Sequence, residues 1–219
     1  MPPDDLGPEG QLWGNPTYDW AAMGTDGYAW WMARFERMVE LYDYVRLDHF
    51  LGFSSFYVVP RGKTALDGFW RYGPGRKLFE QARERLGRPL PFVAENLGTV
   101  TPAVRALVAS CGFPGMDVIQ FADEDPRRGY RPAPGSVAYL GTHDTSTLIG
   151  WCERSFGLPR EEARALAERL AARTVKEVSG GGGVVMLQLQ DVLGLGDEAR
   201  MNVPGVAEGN WSWQAPSLD

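Results

Sequence analysis

Short apolar runs alternate along this chain with longer segments whose apolar residues recur at helical spacing. "GYAWWMARFERMVELYDY", residues 27–44, predicts an amphipathic helix capped by Thr25 or Asp26. "YVRLDHF", 44–50, follows as a strand, and a long loop, 51–75, leads to a helix in "RKLFEQARERLG" that Gly87 stops. "PFVAENL", 91–97, reads as a strand, and "TPAVRALVASCG", 101–112, as a helix with Thr101 as cap and Pro102 in its first turn. "GMDVIQF", 115–121, and "SVAYLGT", 136–142, are strands. "PREEARALAERLAARTVKEV", 159–178, is a helix with acids at its start, where the helix dipole favours them. "VVMLQLQDVLG", 184–194, is a fifth strand running into a turn. The first four strand runs are apolar without clean alternation, as expected when both faces are covered. Strand and helix alternating at this spacing predict an α/β fold of parallel βα units.

Composition narrows the function. The 219 residues are 44% hydrophobic and 23% charged, ordinary for a globular chain, with a net charge of −6. Such acidity disfavours binding nucleic acid through its phosphates. No apolar stretch approaches the ~20 residues of a membrane span, and the acidic, Pro/Gly-rich start "MPPDDLGPEG" is not a signal peptide. Cys111 and Cys152, far apart in sequence, read as buried thiols in a reducing cytoplasm. Eight Trp and eight Tyr are present, several in polar, Gly-rich segments such as "QLWGNPTYDW" and "GNWSW". Flat rings there suit stacking on sugar faces, or simple loop anchoring. The glycines of "SGGGG", 179–183, precede a strand and so form a turn, not a phosphate loop.

Three acids, Asp48, Glu95 and Asp144, end three of the apolar runs. In a parallel βα barrel the C-terminal strand ends build the active site. Arg46 and Asp48 are two apart and share a face, so the guanidinium is expected to keep the carboxylate ionised. Glu95, between "FVA" and "NLG", is expected to be desolvated and able to hold a proton. A nucleophile and an acid so paired, about 5 Å apart, are the apparatus of a retaining glycosidase. Each feature also admits a structural reading: an ion pair at Arg46 and Asp48, a helix cap at Glu95, and satisfied core imidazoles at His49 and His143. With two His and two scattered Cys there is no metal-ligand spacing, and no Gly-x-Ser-x-Gly marks a serine hydrolase.

The motifs "GQLWGNP", "RLDHFLGF", "VAENLGTVTP", "GFPGMDVIQF", "YLGTHDT", "LQDVLGLG" and "MNVPG…GNWSW" together resemble the amylomaltases. These are 4-α-glucanotransferases, also called disproportionating enzymes, and relatives of the α-amylases. The resemblance covers nearly all of the chain from Gly10. It implies a partial (β/α)8 TIM-type barrel, about five βα units forming the C-terminal portion of a single catalytic domain. It further implies a cytoplasmic enzyme without metal or organic cofactor, acting on maltooligosaccharides or starch-type α-1,4-glucans by a retaining double displacement. Asp48 matches the nucleophile, Glu95 the general acid/base, and Asp144 the third carboxylate, which binds ring hydroxyls. Arg46 matches the arginine beside the nucleophile, and His143 a histidine donating to those hydroxyls. Trp13 matches a residue near the acceptor side, Phe121 an aromatic wall, and Asn202 a C-terminal position close to the site. His49 is expected to orient the nucleophile loop.

The chain departs from the family in length, since a complete barrel takes about 250 residues before insertions. The first three strands and an inserted subdomain are expected to be absent, which would leave unpaired edges. Leu51 stands where an arginine is common, Val203 where a threonine is usual, and "HDTST" where a second amide or acid often follows. Three readings follow: a glucanotransferase, either this chain assembled with its missing half or a fragment of a longer gene product; a non-catalytic α-glucan-binding half-barrel; and a poorly folded, inactive fragment. The protein partner expected is the missing N-terminal half or a second copy of this chain, by self-association.

Overall fold

The computed structural model describes residues 1–3, 8–206 and 208–215. Asp4 and Asp5 of the acidic start lie outside the described residues. The chain divides into two compact units, Met1–Gly115 and Met116–Asp219.

The first unit runs α1 (Trp20–Thr25), α2 (Ala29–Leu41), β1 (Val45–Leu47), β2 (Ser55–Val58), β3 (Phe69–Tyr72), α3 (Arg76–Leu86), β4 (Phe92–Ala94) and α4 (Pro102–Cys111). Strands β1 and β4 pair in parallel, with Val45 opposite Phe92 and Leu47 opposite Ala94. All three residues of β4 are buried, so both its faces are covered. The helices supply that cover from one stripe each: Trp31, Met32 and Phe35 on α2, Leu78, Phe79 and Ala82 on α3, Val104, Leu107 and Cys111 on α4. Phe35 meets Phe92 at 4.8 Å between ring centroids, and Phe79 meets Phe113 at 5.2 Å. Each such ring fully removed from water contributes about 1.5–3 kcal/mol.

The second unit contains β5 (Met116–Val118), α5 (Pro126–Gly129), β6 (Val137–Tyr139), α6 (Leu148–Phe156), α7 (Arg160–Gly180), β7 (Val185–Met186) and α8 (Leu189–Val192). Its three strands form one parallel sheet in the order β5, β6, β7. Helix α7 buries Ala163, Leu166, Ala167, Leu170 and Thr174, the stripe expected of a 3.6-residue period, against Leu148, Ile149 and Cys152 of α6.

Parallel pairing and the long helices agree with the hydrophobic pattern. Several details do not. The strands stop early, because His49 and the short 3₁₀ turns Phe50–Phe53 and Ile119–Phe121 leave the extended conformation. The "loop" 51–75 holds the antiparallel hairpin β2–β3, whose apolar and polar residues alternate too irregularly to announce it. Helix α7 extends through Ser179 and Gly180, so the turn begins only at Gly181. The last strand shrinks to two residues followed by α8. Helix α2 begins after Tyr28, not after Thr25 or Asp26. The Asp26 carboxylate still accepts the Ala29 N–H at 3.1 Å, while the Thr25 hydroxyl serves α1 by donating to Ala22. Cys111 and Cys152 are both buried free thiols. No helix among the described residues is long and apolar enough to cross a membrane, and no closed barrel forms among them.

Candidate active site

The register of β1 and β4 decides where the first two acids stand. Leu47 lies opposite Ala94, so Asp48 and Glu95 are the first residues beyond the same end of a parallel pair. Main-chain bonds lock this end: the Glu95 N–H donates to Leu47 O at 3.0 Å, and the Phe50 N–H donates to Glu95 O at 3.0 Å. The side chains differ sharply in exposure. Glu95 is 9% exposed, while the Asp48 side chain is 74% exposed. Arg46 Nη1 lies 2.7 Å from Asp48 Oδ1, as two residues on one strand face allow. The Glu95 carboxyl is held from both sides, Oε2 accepting the His49 N–H at 2.7 Å and Oε1 the Leu97 N–H at 2.8 Å.

Trp13 joins this cluster through His49, edge-on at 5.0 Å between centroids, while its indole N–H donates to Gln11 Oε1. Its ring is half exposed. Burial lowers the His49 pKa from the usual histidine range, against the opposing pull of the Glu95 and Asp48 carboxylates.

The second cluster belongs to the second unit. Asp144 lies five residues past β6 and not at its last residue, in a turn where the Asp144 N–H donates to Thr142 Oγ1 at 3.2 Å. Its Oδ1 accepts from Asn202 Nδ2 at 2.5 Å, and its Oδ2 faces His143 Nε2 at 3.2 Å. The Asn202 N–H donates to His143 O at 3.0 Å, so the C-terminal motif is stitched to the turn by main chain as well as side chain. Gly141 allows this turn, since a Cβ there would meet Gln120, Gln188 and Thr145 polar atoms at 2.7 Å.

Two residues of this cluster were not singled out in the sequence. Arg200 donates from Nη2 to Asp144 O at 2.7 Å and from Nε to Asn202 O at 2.8 Å, bracing both. Burial lowers its pKa, and Asp144 partly restores it. Trp211 has a left-handed backbone (φ 60°) and places its exposed ring 5.2 Å from the His143 imidazole. Its signal was an aromatic in the polar, Gly-rich "GNWSW". Phe121 ends the turn after β5 and is exposed; among the described residues no ring contact joins it to either cluster. Among the described residues no group of three or more His, Cys, Asp or Glu is arranged to hold a metal ion.

Comparison with known proteins shows the family. A family profile described as 4-alpha-glucanotransferase matches residues 1–218. The chain is 40% identical to the chloroplastic/amyloplastic 4-alpha-glucanotransferase of Solanum tuberosum, over 99% of this chain and 39% of that one. It is 42% identical to the 4-alpha-glucanotransferase of Synechocystis sp., over 98% of this chain and 45% of that one. Its fold matches the amylomaltase from Streptococcus agalactiae in complex with acarbose, with a TM-score of 0.81 and 35% identity, over 99% of this chain and 46% of that one. The chain thus spans less than half the length of these relatives.

Proposed function

The chain belongs to the 4-alpha-glucanotransferase family, and on that premise we propose that it supplies the reacting groups for transfer of α-1,4-glucan segments with retention of configuration. The observation that supports this best is the pairing of an exposed, Arg-flanked Asp48 with a buried Glu95 at adjacent ends of one parallel strand pair.

In the first step an Asp48 oxygen attacks the anomeric carbon of the donor glucan. The bond from that carbon to the leaving 4-oxygen breaks, and Glu95 gives its proton to that oxygen. A β-linked glucosyl ester on Asp48 results. In the second step the 4-hydroxyl of an acceptor glucose or maltooligosaccharide attacks the same carbon. Glu95 takes the hydroxyl proton and the Asp48 carboxylate leaves. Arg46, 2.7 Å from Asp48, stabilises the carboxylate at both ends of this cycle. By the family resemblance Asp144, oriented by Asn202 and His143, is the carboxylate that binds sugar ring hydroxyls. Trp13 and Trp211 offer exposed ring faces for neighbouring sugars, and Phe121 a further aromatic wall.

Maltotriose alone tests the reading, because it serves as donor and acceptor. Glucose together with maltopentaose and longer chains is the expected product pattern, and Asp48→Asn and Glu95→Gln are each expected to abolish it. Maltotriose left intact by the wild-type chain would show that these two units do not suffice for transfer. Products unchanged in Asp48→Asn would remove Asp48 from the mechanism.

A further inference from the structure

His49 is a rare kind of residue: a non-glycine with φ of 45°, in the left-handed region, between a strand and a 3₁₀ turn. Such a conformation is unfavourable for a side chain with a Cβ and persists only where the surroundings hold it. Here the consequence of the kink is visible. Were the strand to continue, successive N–H groups would point to opposite sides. With the left-handed turn, the N–H groups of His49 and Phe50 both reach residue 95, one its carboxylate and the other its carbonyl. The imidazole meanwhile packs edge-on to Trp13, and Gly52 leaves it room, since a Cβ there would lie 3.1 Å from His49 Cδ2.

We infer that His49 is a positioning residue for Glu95, acting through its main chain: the left-handed turn aims the His49 amide at the carboxyl, and the imidazole pins the turn against Trp13. The inference rests on Glu95 being the acid/base. When Glu95 surrenders its proton to the leaving sugar, two amides already point at the carboxylate that forms, so nothing has to reorganise. The contribution of His49 is therefore its backbone conformation more than imidazole acid–base chemistry.

The chain has two histidines, so selective ¹⁵N-histidine labelling yields two amide signals, and the one absent from His49→Asn is assigned. That signal is expected to lie downfield and to move upfield in Glu95→Gln, where a neutral amide replaces the carboxylate. An unmoved signal overturns the inference whether or not the chain turns over sugar.

Turnover of maltotriose supplies the functional half, compared across His49→Gly, His49→Asn, His49→Ala and His49→Val at a temperature where circular dichroism shows each folded. Gly and Asn accept positive φ and are expected to keep more activity than Ala. Val, branched at Cβ, is expected to fall furthest, on the order of a hundredfold, as for a misplaced catalytic group. The loss should fall in kcat with KM little changed. Equal loss in all four variants would assign the effect to the imidazole and overturn the inference, as would a loss in KM alone. Activity retained in Glu95→Gln, with the amide signal still shifted, would instead remove Glu95 from the chemistry and leave the clamp standing.

Discussion

Asn202 shows how a single side chain orients a carboxylate. Its amide donates to Asp144 at 2.5 Å, while its main chain holds the preceding His143. Asn202→Ala removes a hydrogen bond to a charged group, worth about 1.5–3 kcal/mol. Kinetics on maltotriose, run at a temperature where circular dichroism shows the lower-melting variant still folded, should show kcat/KM reduced roughly ten- to hundredfold. Asp191 makes the opposite point. One of its oxygens accepts the Leu148 N–H at 2.6 Å, and the other is buried with no hydrogen-bond partner among the described residues. Burial pushes its pKa up to about 6. The folded carboxyl thus keeps its proton to higher pH than the unfolded one. Its contribution to stability is complete below about pH 4 and is lost as pH rises through about 6. The loss is on the order of 3 kcal/mol. Asp191→Asn should therefore melt higher than the parent at pH 8, with the advantage shrinking or vanishing near pH 4; equal shifts at both would contradict burial of the charge. At this scale Asp48, Glu95 and Asp144 were legible as candidates because acids stand near the ends of apolar runs, and Arg46 and His143 as their neighbours in the family's motifs. Arg200 and the His49 amide were not, since a side-chain bond to a carbonyl and a backbone kink leave no mark in composition.

Among the elements, those with strong local signals were readable. Thr101 caps α4 by accepting the Val104 N–H at 3.3 Å, and Gly112 ends it in a left-handed turn. Thr101→Ala should cost about 1 kcal/mol, read as a lowered midpoint in urea. Elements decided by tertiary contact were not readable. Helix α6 depends on Thr147 as its cap and on Asp197, which accepts the Thr147 N–H from 50 positions away in sequence. The hairpin β2–β3 is held by its ladder and by the Tyr57 and Trp70 rings 5.3 Å apart, not by an alternating pattern. The turn between β6 and α6 carries His143 and Asp144 because Gly141 leaves space for three polar side-chain atoms. Gly141→Ala must displace them and should cost about 1–3 kcal/mol in a denaturant melt, with transfer falling further than the fraction unfolded explains.

For the molecule as a whole, periodicity indicated parallel βα units, and the motifs indicated the family, because both are local in sequence. Two units, each with its own core, were not foreseeable from periodicity alone, since it shows which residues face inward but not which cores they join. The central claim is that Asp48 becomes covalently glucosylated with Glu95 as its acid. The direct measurement is mass spectrometry of the chain after incubation with a 5-fluoro-α-glucosyl fluoride, whose fast-leaving fluoride and slow-reacting sugar let the ester accumulate. The account predicts one added fluoroglucosyl group, located by peptide mapping on Asp48 and absent from Asp48→Asn. A label on any other residue, or none, would contradict it.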